Sequence, residues 1–112
     1  MPFLTRVDEY EVGVRPDVQP TLADGLSGNL DPETITFAIV QRLVPEIAVV
    51  SESEIRDAMR DIVQREHLIA EGAAAVGIAA VASGKIKPNG RPLAVVLSGA
   101  NVDVDVLKAI LT

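Results

Sequence analysis

Cysteine and tryptophan are absent from this 112-residue chain, and its aromatics amount to two Phe and one Tyr. Without cysteine there is no disulfide and no thiolate metal site, which fits a cytoplasmic protein. His67 is the only histidine. Alone, just past a helix signal, it reads as a surface or packing residue, because metal and catalytic sites come as constellations. Positive charge is also short: 10 Lys and Arg against 16 Asp and Glu give a formal charge of −6. That opposes a nucleic-acid surface, which needs clustered cations for phosphates. No apolar run reaches the roughly 18 residues of a membrane span. Arg6, Asp8, Glu9 and Glu11 exclude a secretory signal over the first 15 residues. No GxxxxGK(S/T) phosphate motif and no nucleophile–His–acid triad can be assembled. No catalytic residue and no metal ligand is assigned.

What is present is aliphatic and small. Leu93–Asn101, LAVVLSGAN, runs through five apolar residues into Ser, Gly and Asn. An uncharged run containing Val95 and Val96 fits a strand buried on both faces of a parallel sheet. Its small polar end, followed by a helix signal at Asp103–Leu111, falls at the carboxyl edge where ligands sit in open α/β sheets. Ser98, Gly99 and Asn101 are therefore candidate site residues. In the last helix Val104, Leu107, Ile110 and Leu111 are expected to pack inward.

Along the chain, Glu11–Arg15 reads as a strand closed by Pro16, and Pro16–Pro20 as a breaker-rich connection. Thr21–Leu30 holds Asp24-Gly25, Ser27-Gly28 and Asn29. It is either a plain connector or a loop whose backbone passes close to something. Asp31-Pro32-Glu33 predicts a helix start, with Asp31 as cap. Phe37, Val40 and Val44 give its stripe, and Pro45 ends it. Glu46–Val50 is a short strand.

Ser51 and Glu54 form a capping box for a helix to about Glu66. Its stripe is Ile55, Met59, Ile62 and Val63; its wet face includes Arg56, Asp57, Arg60, Asp61 and Gln64. Glu71–Ser83 is a helix of small residues ended by Gly84. Gly72 and Gly77 make sense there if the helix backbone is tightly approached. Glu71 either answers the helix dipole or faces a cavity. Lys85–Pro92 is a surface turn whose lysines are solubilising.

The order predicts an α/β class, layered, with a mostly parallel sheet and helices on both faces. Residues 1–20 would be an N-terminal strand and connector, and residues 21–112 a single α/β domain. Asp24-Gly25, Glu71 and Ser98-Gly99 could line one crevice suited to a planar polar ligand.

Taken together, TLADGLSGN, DPETITFAIVQRLVPEIAVVSESEIRDAM, REHLIAEGAAAVGIAAVASGKI and LAVVLSGANVD resemble the C-terminal part of the pyridoxal-phosphate enzymes of the tryptophan synthase β-subunit type (fold type II). Within that type they are most similar to threonine dehydratases and serine racemase-like proteins. The resemblance implies pyridoxal 5'-phosphate as cofactor of the complete enzyme and an amino acid as substrate. The reaction implied is loss of water from a hydroxy amino acid, giving a 2-oxo acid and ammonia. It maps the hydroxyl that meets the pyridine nitrogen to Ser98, the glutamate near the ring to Glu71, and the glycine that approaches through its backbone to Gly25. Gly99 and Asn101 match the motif with less definite roles. The Schiff-base lysine and the phosphate loop of the family match nothing in this chain, Lys85, Lys87 and Lys108 included, so the chain alone should not run the reaction.

Arg15 stands where many relatives carry a glutamate that in some members helps bind a divalent cation, and the connection from Pro16 to Thr21 is shorter than theirs. A non-catalytic rival is a truncated α/β module that self-associates through uncovered faces, or that binds a small ligand. A homo-oligomer is expected in either case, with no nucleic-acid or membrane partner.

Overall fold

The computed structural model describes residues 4–6, 19–28 and 33–112. The expected strand Glu11–Arg15 and the cap Asp31 lie outside the described residues. Two short strands, β1 (Leu4–Arg6) and β2 (Glu46–Ala48), pair antiparallel with Thr5 opposite Ile47. The helices are α1 (Ile35–Leu43), α2 (Glu52–Asp61), α3 (Gly72–Ala82) and α4 (Val104–Leu111). A π-helical turn, Ile62–Glu66, extends α2 to the boundary that its pattern predicts. None of these helices is long and apolar enough to cross a membrane.

The core forms where α2 lies on α3 and α4 lies on α2. Ile55, Ala58, Met59 and Ile62 meet Ala74, Ala75 and Ala79, with Ile110 fully buried against them. Alanines on α3 allow this close helix contact, and Met59 fills the remaining space. Gly77 extends the pattern: a Cβ there would sit 2.6 Å from Val95 Cγ1, so Val95 rests on α3.

Several side chains depart from the expected pattern. In α4 the inward residues are Val106 and Ile110, one helical turn apart, while Val104 and Leu111 are exposed. Residues four apart share a helical face, and Val104 and Leu111 fall off the face that Val106 and Ile110 define. Arg60 is no mere wet-face charge, because its Nε donates to the Ile110 carbonyl at 2.8 Å and holds the end of α4 on α2. Thr34 caps α1, its side chain accepting from Thr36 N at 3.4 Å. No residue of α1 is buried; Ile35 and Leu43 are exposed. Leu93–Asn101 runs without helix or ladder partner, and Val96 is 79% exposed. Thus among the described residues the mostly parallel, two-faced sheet is not formed, because no neighbouring strand flanks Leu93–Asn101.

The Ser51–Glu54 capping box is present, with Glu54 N donating to Ser51 Oγ at 3.2 Å and Ser51 N to Glu54 Oε2 at 2.6 Å. Lys85 is not a solubilising lysine. Its ammonium donates to the same Glu54 oxygen at 2.6 Å and to the Val49 carbonyl at 2.8 Å. This one cation joins β2's exit, the start of α2 and the end of α3. It also holds the Glu54 carboxyl below the usual carboxylate range, with the Ser51 N–H adding to the effect.

A carboxyl whose folded pKa is lowered contributes stability above its unfolded value and loses it as pH falls through the lowered one. Lys85→Met should therefore flatten the acid limb of stability against pH, read by urea midpoints between neutral pH and the carboxylate range. Ser51→Ala should cost about 1 kcal/mol. Gly72→Ala places a Cβ on the Leu22 carbonyl, which is backbone and cannot rotate away. It should cost about 1–3 kcal/mol by chemical denaturation. Gly77→Ala should cost less, because Val95 can turn aside and alanine gains about 1 kcal/mol of helix propensity.

Candidate functional site

The amino end of α3 is where the remaining segments converge. Gly72, lacking a Cβ, lets the Leu22 carbonyl lie against the helix start. The loop that follows, Asp24–Leu26, is a 3₁₀ turn closed by Leu26 N to Ala23 O at 2.8 Å and Ser27 N to Asp24 O at 2.9 Å. Asp24 Oδ1 accepts from Gly25 N at 2.8 Å. A Cβ on Gly25 would stand 3.2 Å from Ala73 Cβ, so the loop is not a plain connector but passes close against α3.

Glu71 is the residue before the first turn of α3, with extended backbone, and its side chain makes no capping bond to its own helix. Its backbone N–H donates to the Gly99 carbonyl at 3.1 Å, fixing the Leu93–Asn101 segment beside α3. The carboxylate folds over Gly99, where a Cβ would overlap Glu71 Oε1. The dipole explanation for Glu71 is therefore incomplete, because the acid group is placed across the strand-to-helix segment.

A cleft of about 290 Å³ opens here, lined by Thr21, Leu22, Asp24, Glu71, Gly72, Asn101, Val102, Asp103 and Val106. Of the predicted residues, Glu71 and Asn101 line it directly. Gly25 adjoins Asp24, and Gly99 packs on Glu71. Ser98 precedes Gly99 but is exposed and outside the lining. Thr21, Leu22, Asp103 and Val106 were not singled out by sequence reasoning. The one signal for Asp103 was its place ahead of a helix, and Thr21 had none.

Chemically this wall is rich in acceptors: carboxylates at 24, 71 and 103, an amide at 101 and a hydroxyl at 21. Among the described residues no Lys, Arg or His lines it. The side chains of this wall suit the protonated nitrogen or hydroxyl of a flat ring. Lys85 is engaged with Glu54 and Val49 instead. Among the described residues no group of His, Asp and Glu could hold a metal ion.

Comparison with known proteins bears on this geometry. Residues 2–99 match the sequence profile of the family described as pyridoxal-phosphate dependent enzyme. The L-threonine ammonia-lyase of Thermotoga maritima is 40% identical over 97 residues, covering 87% of this chain and 24% of that protein. The catabolic L-threonine dehydratase TdcB of Staphylococcus aureus is 42% identical over 87 residues, 75% of this chain and 25% of its own length. TdcB of Escherichia coli is 41% identical over 86 residues, 75% and 26% respectively. The chain thus spans about a quarter of the length of these relatives. A profile match that covers nearly the whole chain, with relatives of this identity, makes the chain a member of the pyridoxal-phosphate-dependent enzyme family.

Proposed function

We propose that this chain forms the carboxyl-terminal wall of the cofactor cleft of a threonine or serine dehydratase-like lyase. Such an enzyme removes water from a hydroxy amino acid to give a 2-oxo acid and ammonia. The observation that carries the reading is the convergence of Glu71, Gly99, Asn101 and the Asp24-Gly25 loop on one acceptor-lined cleft. The names of the relatives, L-threonine ammonia-lyase and L-threonine dehydratase, support the substrate class.

Pyridoxal phosphate, when bound, draws electrons from the amino acid's α-carbon and eases loss of the α-proton and the β-hydroxyl. The residues of this chain do the rest of their work as a wall. Ser98, next to Gly99 but outside the cleft lining, would hydrogen-bond the pyridine nitrogen as the resemblance implies, a neutral partner that would leave it less firmly protonated than a carboxylate would. Glu71, held over Gly99, would lie near the ring. Gly25 brings loop backbone close without a side chain in the way. The phosphate loop and the reactive amine go to other polypeptide, since neither matches a segment of this chain and no lysine lines the wall.

In this reading residues 21–112 are one α/β unit, with 1–20 as strand and connector. Leu93–Asn101 takes its place in a mostly parallel sheet that further polypeptide completes. A run that reads as doubly buried but stands with Val96 79% exposed favours that completion. The same uncovered surface, with Ile35 81% exposed, favours a second reading in which copies of the chain associate. Size-exclusion with light scattering should show an oligomer in that case, and a clean monomer at high concentration argues against it.

The main test is reconstitution. The chain is mixed with the amino-terminal portion of the Thermotoga maritima lyase, and threonine deamination is followed. Borohydride fixation followed by peptide mapping should place the cofactor on a lysine of the added portion. Fixation on Lys85, Lys87 or Lys108 at full activity would overturn the proposal. Gly99→Ala, which displaces the Glu71 carboxylate, should lower kcat on the order of 10²-fold, the scale of an ångström-size misplacement. Ser98→Ala should also reduce elimination; unchanged activity would remove the ring-nitrogen role.

A further inference from the structure

Glu52 opens α2, outside the cleft, and a first-turn acid would ordinarily be explained by the helix dipole alone. Its contacts say more. The carboxylate accepts a hydrogen bond from Thr21 Oγ1 through one oxygen and a 2.8 Å bond from Leu22 N through the other. Thr21 Oγ1 in turn accepts from Ala23 N at 3.0 Å. One carboxylate therefore fixes three consecutive residues, directly or through the threonine hydroxyl. Two of them, Thr21 and Leu22, line the cleft, and the third leads into Asp24. The Leu22 carbonyl is pressed on Gly72 from the other side. The strip is thus held between α2 and the start of α3.

We propose that Glu52 is a positioning residue: through Thr21 it holds the Thr21–Asp24 strip as one rim of the cleft, opposite Asn101–Asp103. It touches no ligand itself. Its consequence for binding rests on the cofactor-wall reading given above, whereas its hold on the loop does not. Thr21 is the matching partner, because a serine at 21 keeps the hydroxyl relay and a valine of similar shape removes it.

The test uses the full chain, labelled with ¹⁵N, as wild type, Glu52→Ala, Thr21→Val and Thr21→Ser. Amide exchange at Leu22 and Ala23 should quicken in Glu52→Ala and Thr21→Val on the order of tenfold, the scale of one net hydrogen bond. Amides of Ala74, Ala75 and Ala79 should keep their shifts and protection. Thr21→Ser should behave as wild type, a rescue that general loosening of α2 would not give. Unchanged exchange at 22 and 23 in Glu52→Ala would overturn the proposal.

Pyridoxal 5'-phosphate is then titrated into the labelled chain assembled with the amino-terminal portion of the Thermotoga maritima lyase, while the amides of Asp24, Glu71 and Asn101 are followed. Shifts in wild type that weaken on the order of tenfold in Glu52→Ala support the role in shaping the cleft. Equal shifts in both overturn that role and leave the cofactor reading standing. No shift in wild type overturns the cofactor reading for this chain, and the exchange data then decide the hold on the loop by themselves.

Discussion

Everything at the candidate site depends on how closely backbone can approach the first turn of α3. Gly72 admits the Leu22 carbonyl, Gly99 admits the Glu71 carboxylate, and Gly25 admits Ala73. At Gly72 and Gly99 the neighbour occupies the place of a Cβ, and at Gly25 it leaves only tight room for one. Steric room of this kind is specific, because a backbone carbonyl cannot move aside as the end of a side chain can. The alanine-rich composition of α3 serves the same end further along, where α2 packs on it and Val95 rests at Gly77. Small residues here bring three chain segments to one point, and the cleft is the space left between them.

Polar groups fasten what the small residues allow to approach. Glu52 and Glu54 sit two residues apart at the head of α2 and are used differently. Glu54 closes the capping box and binds Lys85, tying α2 to the end of α3. Glu52 reaches the loop before the cleft. At the other end of α2, Arg60 fixes α4 through the Ile110 carbonyl. Helix α2 is thus the frame to which the cleft's loop, its helix and its far wall are each attached. The helix with the strongest local signal in the sequence is also the one most used in tertiary contacts.

Much of this was legible in the residues. The capping box of α2, the extent of α3 with Gly84 after it, and the need for close approach at Gly72 and Gly77 all follow from local chemistry. Grouping Asp24-Gly25, Glu71 and Ser98-Gly99 in one crevice came from strand-end logic, and of these Ser98 is exposed and outside the lining. The rest depended on long-range partners. Lys85 looked like a solvated loop lysine because its acceptors, Val49 and Glu54, lie more than 30 residues away. Arg60 and Glu52 were hidden for the same reason. The sheet expected around Leu93–Asn101 was inferred from apolar content, which records where a strand is meant to be buried rather than which strand buries it.

The central claim is that this chain supplies one wall of a coenzyme cleft while another stretch of polypeptide supplies the amine. A crystal structure of the chain assembled with the amino-terminal portion of the Thermotoga maritima relative, grown with pyridoxal phosphate, tests it most directly. The account predicts the pyridine ring against Ser98 and Glu71, with the phosphate and the bonded lysine on the added portion. A ring bound away from the amino end of α3, or bonded to a lysine of this chain, would contradict it.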